Sequence, residues 1–468
     1  MLFSSPAFFA FFAIYFVLHL ITPRRARILL IIAGSTIFYA WWKVSYVWLP
    51  YLLTAIAYLG VRWIEGASEE RARKRRLFVT IVTLFLPLVF FKYTDFLYRD
   101  VVGPLFGLHE KILDLPLPLG VSFVTFTLTA YVVDIYRGTF AGRASPTTLA
   151  GYVLFFPHLI AGPILRPIEL IPQLRHPRSA WSAHFYAGLA IFTVGLVKKL
   201  VFADQIAAVV DAAYKSDALT APSAWLAIYG FSMQIYCDFS GYTDMAIGLA
   251  LIIGIRLPNN FLRPYGAFSL IDFWRRWHIT LSFWLRDYLY IPLGGNRGGR
   301  LRTYVNMLIT MTLGGLWHGA SWTFVIWGVL HGLGVAFVHL FRDLSRAAGF
   351  KSAPRWWNAI GLVLTFHFVT LLWVFFRAPS FDKARAMLAA AFAGGGWNTA
   401  GDLVKAQSGA VLLLCVFAAL HAFDDHRMIK LAVRRIRPEI VLPLIVLLWA
   451  LAMTLSHGRS ANFIYFDF

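Results

Sequence analysis

The stretch Pro6-Ala-Phe-Phe-Ala-Phe-Phe-Ala-Ile-Tyr-Phe-Val-Leu-His-Leu-Ile-Thr22 contains no Asp, Glu, Lys or Arg, and Arg24-Arg25-Ala-Arg27 follows directly. An apolar run near the length needed to cross a bilayer, closed by a knot of cations, reads as a membrane span with its cytoplasmic anchor. No basic residue precedes the run and no A-x-A-like cleavage site ends it. It therefore reads as an uncleaved first span and not as a signal peptide.

The rest of the chain repeats this alternation. Hydrophobic residues make up 59% of the 468 and charged residues 14%, against roughly 45–50% and about 25% in soluble domains. A spanning helix needs about 20 mostly apolar residues. Candidate spans lie at 6–22, 28–43, 46–63, 77–95, 118–136, 184–204, 222–255, 303–317, 320–340, 357–376, 408–422 and 440–457. The basic loops are Arg24 to Arg27, Arg71 to Arg76, Arg166 to Arg178, Arg263 to Arg302, Arg342 to Arg355 and Arg427 to Arg437. Placing all six in the cytoplasm gives a consistent path of about twelve spans with both termini outside. The expected fold is an all-α polytopic membrane protein forming one domain over 1–468, with a motif-bearing core at 118–377 and C-terminal helices plus an aromatic tail at 378–468. The net charge of +20 sits in these short loops, which argues for lipid and against nucleic acid. Cys237 and Cys415 are too few for a disulfide framework or a thiolate zinc site, and no metal site is expected.

Two stretches depart from the pattern. Tyr152-Val-Leu-Phe-Phe-Pro-His-Leu-Ile-Ala-Gly-Pro163 is apolar but short and broken, so it reads as re-entrant, a backbone tolerated only where protein or water satisfies it. Phe268 to Tyr290 carries Phe273, Trp277, Leu281, Trp284, Leu285 and Tyr288 at helical spacing, with Arg275, His278, Ser282 and Arg286 on another face. That pattern predicts one amphipathic interfacial helix.

The chemistry-bearing residues lie between and inside the spans. Phe273-Trp-Arg-Arg-Trp-His278-Ile-Thr-Leu-Ser282 and Leu316-Trp-His318-Gly-Ala-Ser-Trp322 each set a histidine among aromatics. A near-neutral imidazole suits proton abstraction from a hydroxyl. His318 follows Gly314-Gly315 and precedes Gly319; it is either a catalytic base facing an acyl thioester or a helix-end histidine bonded to a carbonyl. Arg275, Arg276 and Arg286 either receive the phosphates of coenzyme A or the acidic surface of a carrier protein, or simply obey the positive-inside rule. Gln234-Ile-Tyr-Cys-Asp238-Phe-Ser-Gly-Tyr242-Thr-Asp244 places costly polar groups within a span. Six-residue spacing puts Asp238 and Asp244 on different helix faces, so Gln234, Asp238 and Asp244 read as a structural polar network around an arginine such as Arg275. His331 is a weaker candidate. No Gly-x-Ser-x-Gly, Walker, Gly-x-Gly-x-x-Gly or His-Glu-x-x-His motif occurs.

With these residues the chain resembles the membrane-bound O-acyltransferases, in the bacterial branch that includes alginate O-acetyltransferase. The motifs are Pro118-Leu-Gly-Val-Ser-Phe, Phe156-Pro-His-Leu-Ile-Ala-Gly-Pro163, Tyr236-Cys-Asp-Phe-Ser-Gly-Tyr242, Phe273-Trp-Arg-Arg-Trp-His278, Trp317-His-Gly319 and Trp373-Val-Phe-Phe-Arg377-Ala, in that order. The resemblance implies a helical funnel and a tunnel joining a cytoplasmic donor site to an external acceptor site. His318 matches the family's catalytic histidine and His278 its second marked histidine; base or transient acyl carrier is left open. It further implies an enzyme of the bacterial inner membrane that moves acetyl from a cytoplasmic thioester, acetyl-CoA, to an extracytoplasmic polysaccharide through a periplasmic acetyltransferase partner. No bound cofactor is expected. D-Alanyl or other acyl transfer from a carrier protein stays open, as do a non-catalytic transporter and a scaffold.

The tail Phe463-Ile-Tyr-Phe-Asp-Phe468 has Asp467 where the subgroup's ending usually has Gln. Tyr465 could relay acetyl as an aryl ester, or the tail could be an interfacial aromatic anchor.

Overall fold

A computed structural model describes residues 1–108, 110–113, 115–176, 184–349, 355–393, 395–456, 461, 463 and 464. Among them the regular elements are helices, with no strand. Each expected span falls on a helix, from Pro6–Ile21 and Arg27–Ala40 through Val121–Arg137 and Ala221–Ile252 to Pro438–Leu455. Five helices are long and apolar enough to cross a membrane: Val44–Glu65, Glu70–Tyr93, Phe185–Lys215, Trp322–Ala347 and Trp356–Arg377. A sixth arises if Trp397–Ala406 and Ser408–His421, bent by 88°, form one broken span. Pro6–Ile21, Arg27–Ala40 and Glu439–Leu455 are apolar but shorter.

The chain divides into two compact units. The first comprises Met1–Thr193, Tyr242–Asn259 and Ile436–Val441. Ser5 caps the first helix by accepting from the Phe8 amide, with Pro6 in the first turn. Phe3, Phe8, Phe38 and Phe156 pack as a buried aromatic cluster, Phe3 lying 5.6 Å from Phe38 and Phe38 5.6 Å from Phe156 between ring centroids. The expected re-entrant stretch is indeed non-continuous: helix Pro146–Leu154 breaks at Phe155 and resumes as Phe156–Leu159. Its freed groups find partners in the protein, as burial demands. The Phe156 amide donates to Ser35 Oγ at 3.1 Å, Tyr152 Oη donates to the Leu165 carbonyl at 2.6 Å, and His158 Nε2 lies 2.8 Å from the Tyr152 carbonyl. Gly120, at φ +71°, starts helix Val121–Arg137 so close to this element that a Cβ would stand 2.5 Å from the Leu159 carbonyl oxygen.

The second unit comprises Val194–Gly241, Asn260–Arg435 and Leu442–Phe468. Its centre is the pair of helices Arg300–His318 and Trp322–Ala347, joined by the turn Gly319-Ala-Ser321, whose Ser321 Oγ accepts from the Thr323 amide. Small residues let the two backbones meet: a Cβ on Gly315 would lie 2.3 Å from the Phe324 carbonyl oxygen, and one on Gly328 2.4 Å from that of Met311. Because His318 ends the first of these helices, the glycine seam fixes its position. Gly328→Val is expected to prise the helices apart, lowering stability by about 1–3 kcal/mol through overpacking and displacing His318 with them. Thermal unfolding in detergent, measured beside turnover, checks this; native values in both would rule the seam out as a support for the site.

The expected single amphipathic helix over 268–290 is not continuous. Leu270–Trp274 and Ile279–Leu285 are separate short helices, followed by a π-helical turn at Arg286–Tyr290. The break is at His278, which adopts left-handed backbone angles, φ 42° and ψ 54°. For a residue with a Cβ that conformation costs roughly 1–2 kcal/mol, so the surrounding contacts must hold it.

Candidate active site

The contacts that hold His278 come from Asn260. The Ile279 amide donates to the Asn260 carbonyl at 2.9 Å, and the Thr280 amide and hydroxyl donate to Asn260 Oδ1 at 3.2 and 2.9 Å. His278 Nδ1 lies 3.3 Å from the same oxygen. An amide oxygen already receiving two donors acts as an acceptor, so Nδ1 carries the proton and Nε2 presents its lone pair. Nε2 is buried and has no hydrogen-bond partner among the described residues. Burial pushes the His278 imidazole down to about 3. The ring is therefore neutral at physiological pH, a fixed hydrogen-bond acceptor.

The left-handed turn decides which side chains share a face. Regular helical spacing would group His278 with Arg275 and Arg286. In the structure His278 is fully buried, whereas Arg275 is exposed, and Arg276 and Arg286 pair with carboxylates beside them. Arg276 Nε lies 2.9 Å from Asp272 Oδ1, and Arg286 Nε 2.7 Å from Asp287 Oδ1 with its guanidinium over Phe283. The three arginines thus form no cluster around His278.

His278 and His318 do come together. Their ring centroids are 6.4 Å apart, both side chains buried, in an aromatic chamber. Phe239 stands edge-on to His278 at 4.7 Å; Trp317, Trp327 and Phe376 surround His318 at 5.0, 5.3 and 5.3 Å. Trp327 also stands 4.6 Å from His331 between ring centroids. His331 is fully buried, with neither ring nitrogen hydrogen-bonded among the described residues. A neutral imidazole beside a second one, enclosed by buried aromatic rings, can take a proton from a hydroxyl.

The polar network around Asp238 differs from the expectation. Its cation is Lys199, not an arginine. Lys199 Nζ lies 2.7 Å from Asp238 Oδ1 and 2.8 Å from Asp204 Oδ1, with Lys199 and Asp238 buried and Asp204 half-buried. Gly241 allows the approach, since a Cβ there would stand 2.7 Å from the Gly195 carbonyl oxygen. Lys198 turns to Asp424 at 2.6 Å, and Tyr236 Oη donates to the same carboxylate in a short hydrogen bond. Asp244 is buried but belongs to the first unit, and Gln234 is half-buried with Oε1 unpartnered among the described residues. Tyr465 lies outside the described residues.

Lys199, Asp204, Asn260 and Thr280 were not singled out by sequence reading. Lys198-Lys199 inside an otherwise apolar run is the one signal that could have pointed to the first two, because a cation at that depth needs a carboxylate partner. Asn260 lies in a loop and carries no pattern. Asn260→Ala is expected to slow transfer by about ten- to a hundredfold, since it strands the His278 Nδ1–H and the Thr280 donors at about 1–3 kcal/mol. Turnover together with the imidazole nitrogen-15 shifts of His278 checks this: an unchanged tautomer at native rate would contradict it.

The chain was compared with known proteins, and its similarity runs through this region. The profile of the MBOAT, membrane-bound O-acyltransferase family matches residues 139–378, a segment that contains both chamber histidines. The chain is 41% identical to the probable alginate O-acetylase AlgI of Azotobacter vinelandii, over 87% of this chain and 81% of that protein. It is 38% identical to the peptidoglycan O-acetyltransferase of Helicobacter pylori, over 83% and 79%. Identity to the teichoic acid D-alanyltransferase of Bacillus subtilis is 27%, over 68% and 82%.

Proposed function

We propose, on the premise that this chain belongs to the membrane-bound O-acyltransferase family and is an acyltransferase, that it moves acetyl groups from a cytoplasmic thioester across the bacterial inner membrane to O-acetylate an extracytoplasmic polysaccharide. The observation that carries the reading is the buried pairing of His318 with His278 in one aromatic chamber. Acetyl is favoured over D-alanyl by the 38–41% identity to the two O-acetylating relatives against 27% for the D-alanyltransferase. The donor in this reading is acetyl-CoA, and the acetyl group passes to the polysaccharide by way of a periplasmic acetyltransferase partner. The path has about twelve spans, with the basic loops in the cytoplasm.

In the transfer step the acceptor hydroxyl oxygen attacks the thioester carbonyl while the His318 imidazole takes its proton. The new C–O bond forms, the C–S bond breaks, and the proton passes to the departing thiolate. His278, held by Asn260 with its Nε2 lone pair exposed to the chamber chemistry, orients the reacting groups by accepting a hydrogen bond. Trp317, Trp327, Trp373 and Phe376, all buried, keep water from the carbonyl.

Donor choice is tested with purified protein in proteoliposomes, offered labelled acetyl-CoA, an acetylated carrier protein or a D-alanylated carrier protein. Discharge of acetyl-CoA, with label recovered as ester on the far side, is the expected result. Exclusive discharge of a carrier thioester would move the donor to that class, and label crossing the membrane without new ester would replace the enzyme reading with transport.

A further inference from the structure

His331, in helix Trp322–Ala347, takes no part in the transfer step, yet it is 0% exposed and neither of its ring nitrogens has a hydrogen-bond partner among the described residues. Two indoles beside it share that condition. Trp274 Nε1 and Trp327 Nε1 are buried and without a partner among the described residues. The three rings are mutual neighbours: between centroids, Trp327 stands 4.6 Å and Trp274 5.1 Å from His331, and the two indoles are 5.9 Å apart. Phe273 and Phe368 close the cage around the imidazole at 6.3 and 5.9 Å. Buried polar groups are nearly always hydrogen-bonded, so several orphans gathered in one place call for an explanation such as a ligand. Their inventory describes its chemistry. A neutral imidazole offers one donor and one acceptor, and each indole offers one donor. A secondary amide is the complement: its carbonyl takes an indole N–H, and its own N–H donates to the imidazole.

We propose that His331, with the indoles of Trp274 and Trp327, holds the amide of the acyl donor that lies nearest its sulfur, and so sets the thioester before His318. This rests on the acyltransfer reading above. Coenzyme A and the prosthetic group of an acyl carrier protein present the same pantetheine amide, whose nitrogen is two methylenes, about 4 Å, from the sulfur. Trp327 bridges an interval of that order in the protein, standing 4.6 Å from His331 and 5.3 Å from His318. Holding the amide fixes the carbonyl bonded to that sulfur, the alignment that makes attack effectively unimolecular. A donor without the amide N–H leaves the imidazole lone pair unmatched, and a site built for a hydrogen bond discriminates against such an analogue. His331 is thus a specificity-determining residue for the donor and stands apart from the reacting atoms.

The test offers full-length protein in proteoliposomes acetyl-CoA and an acetylated carrier protein, each also as the analogue whose sulfur-proximal amide N–H is replaced by an ester oxygen. The donor class that the native protein discharges identifies the source of the arm. For that class kcat/KM is expected to be at least about tenfold higher with the amide than with the ester. A folded His331→Phe protein should bring the ratio below about threefold, whereas His331→Gln, which keeps a carbonyl acceptor, should retain at least about half of it. A native protein that discharges the amide and ester forms equally would overturn the subsite, whether or not any variant folds. So would a folded His331→Phe protein that is slower with both forms yet keeps the native ratio, the mark of a merely structural residue. A native protein that discharges none of the thioesters would overturn the acyltransfer reading and the subsite with it.

Discussion

Replacing His318 with alanine is expected to reduce acyl transfer by about 10²–10⁴-fold, the range a positioned general base supplies, while leaving the protein folded. The structure explains both halves of the expectation. His318 ends helix Arg300–His318 against Trp317, Trp327 and Phe376, so its imidazole is part of the chamber wall. The helix itself is held by the Gly315 and Gly328 contacts with its neighbour, which the substitution does not touch. His278 is placed as an acceptor, its Nδ1 turned to Asn260 Oδ1 and burial pushing its imidazole down to about 3. His278→Ala should therefore cost less than His318→Ala. The experiment compares ester formation and thioester discharge for native protein and both variants in proteoliposomes. A folded His318→Ala protein with substantial residual transfer would refute the assignment, and equal losses for the two variants would point to a shared rather than a divided role.

The second large effect is on stability. Lys199→Met leaves Asp204 and Asp238 facing each other without their cation, in a site where the side chains are 9% and 3% exposed. Removing one partner of a buried ion cluster costs about 3–5 kcal/mol, because the remaining charge is uncompensated. The expected outcome is a steep fall in melting temperature and in yield of monodisperse protein. Adding Asp204→Asn and Asp238→Asn to Lys199→Met removes the stranded charge, so the triple variant should recover most of the loss. A Lys199→Met protein that melts like the native one would mean that the carboxylates are met by other means.

Much of this protein is legible in its sequence, and the reason is solvent. A bilayer imposes a length and polarity rule on every span, so the apolar runs name the helices, and each candidate span falls on one. The broken element at Tyr152–Pro163 is legible for the same reason, since proline and glycine interrupt an apolar run too short to cross. Both chamber histidines stand out because each sits in a motif that joins aromatic residues to arginines or glycines, Trp-Arg-Arg-Trp-His278 and Trp-His318-Gly.

What the sequence does not carry is the direction in which side chains point once the backbone leaves regular geometry. A 3.6-residue period places His278 with Arg275 and Arg286; the left-handed turn at His278 sends it inward and leaves them outside. No local pattern marks such a turn, because its cost is met by contacts from Asn260 and Thr280, which only tertiary packing supplies. The pairing of Lys199 with Asp204 and Asp238, whose second oxygens accept the amides of residues 461 and 464, is likewise a long-range matter of charge and hydrogen bonding inside the folded unit. The sequence by itself determined that the chain is a bundle of membrane helices bearing two marked histidines, because hydrophobicity and residue type are local properties. The tertiary structure alone decided that those histidines come together and that Lys199 meets both Asp204 and Asp238, because proximity between distant residues is a property of packing.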